Sequence, residues 1–324
     1  MKSFLMFLSL ICSCSCRADY SPFLNGAKAS VKVVVADENG RVVSNANVRV
    51  AFLVEPAKEE TVKGSSDNDG TFNAFSSLCI GRYTISVIKD GYYDTFVKRS
   101  ISAQDVNSVV RSRKWTEGEK VEKVTLKRIH KPVKMERISI VNGRFPATNE
   151  VLKLDLQSLQ WCAPYGKGVH DDMHIVYKAE SSSDVWLEFS RSLEISFPNA
   201  ADGFYKAKLD GSGSCLRYDY TAETDRSYNK KLHFSFGRTE KAITNNVSLA
   251  DDEYLICRVR SKTNEVGKVV SAHYGVIGER IRYIMGFDIS SIFNPTVNDT
   301  NLESDWVYKK MMRGKSRRRG RLVK

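Results

Sequence analysis

Between Val31 and Tyr93 the chain alternates short apolar runs with turns rich in Asp, Asn and Gly, which points to antiparallel strands. Val31, Val33 and Val35 fall on one side of an extended segment, and Asp37-Glu38-Asn39-Gly40 follows them. Val48, Val50 and Phe52 repeat the pattern ahead of Asp67-Asn68-Asp69-Gly70. Tyr83, Ile85 and Val87 form a third set, closed by Lys89-Asp90-Gly91. A period of two puts each set on one face of a strand, and Asn-Gly supplies the positive φ of a tight turn. Val124 and Leu126 are spaced to add a closing strand. The expected product is a small β-sandwich.

The second half carries the same signature at larger scale. Leu193, Ile195 and Phe197 alternate, Leu255, Cys257 and Val259 oppose Tyr254, Ile256 and Arg258, and Ile281, Tyr283, Met285 and Phe287 form another apolar row. Val185, Leu187 and Phe189 alternate too, with Trp186 between them. Asn199–Gly203, Gly211–Ser214 and Asn264–Gly267 read as turns. No amphipathic helix stands out, and about ten strands suit a larger antiparallel sandwich or jelly roll. His130-Lys131-Pro132-Val133-Lys134 reads as a stiff, solvated linker, because Pro132 lacks a donor and restricts its neighbour. The expected fold class is therefore all-β: a first sandwich over 29–130 and a second all-β domain over 137–308.

The turns of the first half carry a family resemblance. Asp37…Gly40, Ala46-Asn47-Val48, Ser66-Asp67-Asn68-Asp69-Gly70-Thr71-Phe72, Leu78…Gly81-Arg82-Tyr83 and Lys89-Asp90-Gly91-Tyr92 resemble the carboxypeptidase regulatory-like domain. The resemblance covers about residues 29–128 and implies a transthyretin-like sandwich of about seven strands, a module without catalytic residues of its own. The segment Val54–Gly64 is longer and more charged than that family's pattern, and Ser102–Trp115 inserts polar residues. Trp161–Gly168 and Phe293–Glu303 are similar to motifs in uncharacterised secreted bacterial proteins where such a module precedes a second one. No activity is implied by that second likeness.

The two ends speak of address. Lys2, the apolar run Phe4–Ile11 and a small-residue zone read as a leader over residues 1–18, too short to span a bilayer as a helix. Ile11-Cys12-Ser13-Cys14 resembles a bacterial lipobox, which implies a lipid on Cys14; Cys16 as acceptor and cleavage after Ala18 without lipid also fit. At the other end, nine of the chain's positive charges lie between Lys309 and Lys324 with no acid after Asp305. The formal net charge is +12, so the rest of the chain carries only +3. A disordered basic tail over 309–324 is expected, with Arg317, Arg318, Arg319 and Arg321 as candidates for contact with acidic lipid headgroups, an acidic glycan or an envelope polymer. Aromatic interleaving of the kind single-strand binders use is absent, which argues against nucleic acid. Cys79, Cys162, Cys215 and Cys257 remain after the leader, one per segment, and their spacing leaves disulfides and buried thiols both open.

Chemistry-bearing clusters are few. His170-Asp171-Asp172-Met173-His174 offers two imidazoles and two carboxylates within five residues, ligand types zinc accepts, but the following Ile175-Val176-Tyr177 reads as a strand and the segment as its polar lead-in. Asn298, Asp299, Asn301, Glu303 and Asp305 are dense in oxygen. Calcium loops usually turn on a Gly, and here Asn and Asp bonding their own backbone is the simpler expectation. A glycosidase needs two carboxylates about 5–10 Å apart, and no motif isolates such a pair, although Trp161, Trp186 and Trp306 could stack sugar rings. No nucleophile elbow, phosphate loop, zinc-protease helix motif or dinucleotide fingerprint occurs. The expectation is no metal, no cofactor and no catalysis: an exported envelope or surface protein, periplasmic, outer-membrane-anchored or secreted, with an adaptor, binding or structural role. A secreted carbohydrate-binding module is the alternative, and an uncharacterised hydrolase the remote one.

Overall fold

Each of the three alternating sets becomes a strand whose apolar side is buried. The structure, a computed structural model, describes residues 26–100, 120–135, 137–181, 188–239, 242–246, 248–278, 281–307, 309 and 311. The described chain is all-β and its sheets are built from antiparallel strand pairs; residues 305–307, 309 and 311 are helical. It divides into two compact units. The first takes the described residues through Val87 and those within Phe96–Val124, and the second takes Ile88–Thr95 and the described residues from Thr125 onward.

Among the described residues, seven strands build the first sandwich: β1 (Ala27–Asp37), β2 (Asn47–Glu55), β3 (Lys58–Ser65), β4 (Thr71–Cys79), β5 (Arg82–Ile88), β6 (Thr95–Ser100) and β7 (Lys120–Leu126). One sheet runs β4-β1-β7 and the other β3-β2-β5-β6. Val31, Val33, Val35, Val48, Val50, Phe52, Tyr83, Ile85, Val87 and Val124 of the first unit are all buried. The two Asp-Gly turns use one device. Asp37 Oδ1 accepts the N–H groups of Asn39 and Arg41 at 3.0 and 2.9 Å, and Asp67 Oδ1 accepts those of Asp69 and Thr71 at 3.0 and 2.7 Å. In each, the glycine three residues on takes the left-handed φ, 76° at Gly40 and 70° at Gly70. Asn39 does not share it; the carboxylate, rather than Asn39, completes that turn. The long charged segment flagged in the sequence forms β3, an edge strand bearing Lys58, Glu59, Glu60 and Lys63, and charge of this kind blunts an edge against further pairing.

The second unit stacks two larger sheets. One runs β10 (Gln160–Trp161), β9 (Val151–Asp155), β11 (Met173–Ser181), β12 (Phe189–Ser196), β14 (Lys231–Arg238), β15 (Ile243–Asn246). The other runs β13 (Gly203–Lys208), β16 (Glu253–Thr263), β17 (Val269–Ile277), β18 (Phe287–Phe293), β8 (Arg137–Gly143). Leu152, Leu154, Ile175, Leu193, Ile195 and Leu232 face Leu255, Cys257, Val259, Ile277, Ile289 and Phe293 in the core between them. The five-stranded sheet is buried on its other face as well, where Tyr254, Ile256, Tyr274 and Val276 pack with Tyr205, Leu209, Tyr218 and Leu302. The unbroken apolar run Tyr254–Cys257 is the sequence mark of a strand covered on both sides.

Two segments differ from their sequence reading. The linker keeps His130, Lys131 and Lys134 exposed, but its backbone is tied down: Glu303, itself buried, accepts the N–H groups of His130 and Lys131 at 2.9 and 2.7 Å and the Tyr93 hydroxyl at 2.9 Å, all within the second unit. Val133 then bridges Ser304 in parallel, so pairing continues past Pro132 through groups other than its missing donor. The apolar row from Ile281 is also not one strand. Only Phe287 onward joins β18, and residues 281–286 bend away from it.

A charged cluster ties the two sheets of the second unit together. β16 bulges between Val259 and Lys262, and Arg260 takes a left-handed φ of 56° there. Asp202 holds the bulge by accepting the N–H groups of Arg260 and Ser261, each at 2.8 Å. The Arg260 side chain crosses to the facing sheet, where its Nε and Nη2 donate to the Asp172 oxygens at 2.9 and 2.8 Å. Nη1 reaches Gln157 at 2.9 Å, Nη2 also meets Asp155 at 3.3 Å, and the guanidinium lies 4.7 Å from the Phe293 ring centre. Burial alone would raise the Asp155 carboxyl, but the N–H groups of Val169, Ser158, Gln157 and His170 hold it below the ordinary aspartate range. Asp202 goes the other way, because its burial outweighs the N–H groups it accepts.

Removing one partner of a buried ion pair leaves an uncompensated charge, at a cost of about 3–5 kcal/mol. Arg260→Met should therefore lower the stability of the second unit by about that amount, read from denaturant unfolding of the full chain. A loss below about 1 kcal/mol, the worth of an exposed pair, would show that the cluster contributes little.

Candidate functional site

Where the row Ile281–Phe287 leaves the sheet, it opens a cleft. After Ile277 ends β17, the chain returns to β18 through a small loop closed by Arg282 and Asp288, whose backbones exchange hydrogen bonds of 3.1 and 2.9 Å. That closure turns Tyr283 inward, at 6% exposure, and throws Met285 outward, at 98%. Gly286 sits where a Cβ would come within 3.2 Å of the Asn142 backbone, and the Asn142 N–H donates to Asp288 Oδ1 at 2.7 Å, fixing the loop against β8. Opposite, Phe234 on β14, Asn245 on the edge strand β15 and the turn Leu249–Asp251 complete the walls. The turn is set by Glu253, whose Oε2 accepts the Ala250 N–H at 2.9 Å.

The cleft measures about 710 Å³, within the range of about 300–1,000 Å³ usual for small-molecule sites. Phe234, Leu249, Ile281 and Tyr283 make its apolar surface, and Asn245, Asp251 and Arg282 its polar margin. Arg282 meets Asp288 only at 3.8 Å, with the arginine largely exposed. Burial pushes the Tyr283 phenol up, so it is protonated and a donor at neutral pH. Such a site can enclose a ligand with an apolar body and orient it by a few polar contacts. Among the described residues no group of three His, Cys, Asp or Glu side chains stands where it could hold a metal.

The residues singled out in the sequence fall elsewhere. Cys14, Trp186 and the arginines Arg317, Arg318, Arg319 and Arg321 lie outside the described residues. The His170–His174 segment is split between structural partners: Asp171 bonds Lys153 and His174, each at 2.9 Å, while Asp172 faces Arg260. The oxygen-rich loop after Phe293 is engaged with backbone groups of its own turn and of neighbouring segments. Asn298 accepts the Ala272 N–H, Asp299 that of Asn301, and Asn301 that of Glu303. Trp161 is half-buried, its ring 5.7 Å from that of Phe287, and Trp306 lies under the Arg137 guanidinium. Cys79, Cys162, Cys215 and Cys257 are thiols, and desolvation raises Cys162 and Cys257, which makes them poor nucleophiles at neutral pH. Sequence reasoning named Ile281, Tyr283 and Met285 but as strand core. The two residues Arg282 and Gly286 interrupting that row were the available sign of a bend.

No protein-family model matches the chain, and no curated protein matches it. Among solved structures, a point mutant of Acinetobacter radioresistens catechol 1,2-dioxygenase is similar at 11% identity and a TM-score of 0.25, over 32% of this chain and 53% of that one. The 3-chlorocatechol 1,2-dioxygenase of Rhodococcus opacus gives 12% identity and the same score over 33% of this chain and 62% of its own. The match therefore spans little more than half of the dioxygenases' length. A streptococcal ancillary pilin gives 9% identity and a TM-score of 0.22 over 86% of this chain and 62% of that one. Likeness at this level does not establish an enzyme, and it assigns no family.

The inward packing of Trp161 sets an expectation. Trp161→Ala should destabilise the second unit by about 2–4 kcal/mol, as a large-to-small change at a packed ring does, with the loss seen in thermal or denaturant unfolding.

Proposed function

We propose that the chain is a non-enzymatic exported protein of the cell envelope or surface, with a carboxypeptidase regulatory-like adaptor first and a ligand-binding sandwich second. The observation that carries the binding role is the cleft of about 710 Å³ walled by Phe234, Leu249, Ile281 and Tyr283. The described lining sets an apolar surface beside a few polar groups, Asn245, Asp251 and Arg282, the composition of a binding site. Export rests on the leader and the lipobox-like Cys14, and surface attachment on that lipid acting together with Arg317, Arg318, Arg319 and Arg321, since a single acyl chain holds only marginally.

Two measurements test the reading. A small-molecule library screened by thermal shift should yield ligands that stabilise the full chain, by about 2.7 kcal/mol at a hundredfold excess over Kd. Ala250→Trp, which fills the mouth from an exposed position, should abolish those shifts while the unliganded protein melts normally. Turnover of any hit to product would overturn the non-enzymatic part. Mass spectrometry of the mature protein from its host should find a diacylglyceryl mass on Cys14; an unmodified Asp19 start would remove the anchor.

A further inference from the structure

Resting on the binding reading above, we propose that the cleft takes an amphiphilic small molecule whose acyl or alkyl body lies on Phe234, Leu249 and Ile281 and whose oxygen accepts a hydrogen bond from the Tyr283 hydroxyl.

Tyr283 is the second observation beside the shape of the cleft. It is more than nine-tenths buried, it lines the cleft, and its hydroxyl makes no hydrogen bond among the described residues. The oxygen itself is not among the sealed, unpaired atoms of the described residues, so it opens on the cleft, where its O–H needs an acceptor. A carbonyl or carboxylate oxygen at that point would supply it, and burial keeps the phenol in its donating form. A wholly polar ligand such as a free sugar would set hydroxyls against the apolar walls and leave them unpaired.

The margin fits the same class. Met285 stands free at the mouth beside Ile284, and an unbranched thioether adapts to chains of differing shape. Arg282, held to Asp288 only across 3.8 Å, can turn toward a carboxylate headgroup, and Asn245 offers both donor and acceptor nearby. The volume bounds the ligand to small-molecule size, with the remainder of a longer chain passing out over Met285.

The test uses the full chain and 11-(dansylamino)undecanoic acid as a fluorescent probe, displaced by decanoate or by decyltrimethylammonium, which has the same tail and no acceptor oxygen. Decanoate should compete better than decyltrimethylammonium by more than about three- to tenfold, the worth of the Tyr283 hydrogen bond, with the Arg282 charge adding to it. Tyr283→Phe, which keeps the ring and the fold, should cut that preference by about three- to tenfold, and Ala250→Trp should abolish probe binding. Equal competition by the two tails in wild type, or a preference unchanged by Tyr283→Phe, would overturn the inference while leaving a binding cleft in place. Absence of probe binding together with library hits of another class that Ala250→Trp removes would do the same. If no compound of any class distinguishes Ala250→Trp, the binding reading falls as well. Cosedimentation with phosphatidylglycerol vesicles, lost in Ala250→Trp, would assign the oxygen-bearing amphiphile to a bilayer; binding of monomeric decanoate without such cosedimentation would assign it to a soluble acid.

Discussion

The Arg260 guanidinium, set between Asp155 and Asp172, fixes how the two sheets of the second unit face one another. Apolar packing between the sheets is large but directionless. A planar fork of donors is directional, and it meets Asp172 in one orientation only. The cost of placing these charges in the interior is met by further bonds: Asp172 also accepts the Leu156 N–H at 3.0 Å, and Asp155 accepts several others. Because Arg260 needs a left-handed backbone to reach across, the Asp202 carboxylate that holds the bulge belongs to the same device. Buried ion pairs are weak contributors to net stability and act better as setters of register. That is the role this one fits.

With the register fixed near Phe293, the far ends of the sheets are free to part. The loop 281–286 and the turn Leu249–Asp251 occupy that end, and the cleft lies between them. The two ends use their polar groups differently: the cluster engages its carboxylates and guanidinium with one another and with backbone N–H groups, whereas the cleft is lined by a phenol and an exposed methionine.

Much of the architecture was legible because strands with one buried face write a period of two into the sequence. Val31–Val35, Val48–Phe52, Tyr83–Val87 and Leu193–Phe197 each show it, and each is a strand with those side chains inside. The turns were legible through Asp and Gly, although the part played by the Asp37 and Asp67 carboxylates was not. The site was hidden for a physical reason. A bend that presents Ile281 and Tyr283 to a cleft uses the same residue types at the same spacing as a strand that presents them to a core, and period alone cannot separate the two. The Arg260 cluster was hidden differently. Its members come from β9, the lead-in to β11 and β16, far apart in sequence, and Asp172 stood beside two histidines that suggested a metal instead.

The path of Ile88–Thr95 has an unexpected corollary. This stretch runs from the last residue of strand β5 to the first of β6 yet belongs with the later unit, to which Tyr93 brings the hydroxyl bonded to Glu303. A gene fusion or deletion that broke the chain near residue 130 would strip the downstream body of a buried tyrosine, and the Glu303 carboxylate would lose that donor. The two bodies are thus poorly suited to shuffling as independent cassettes.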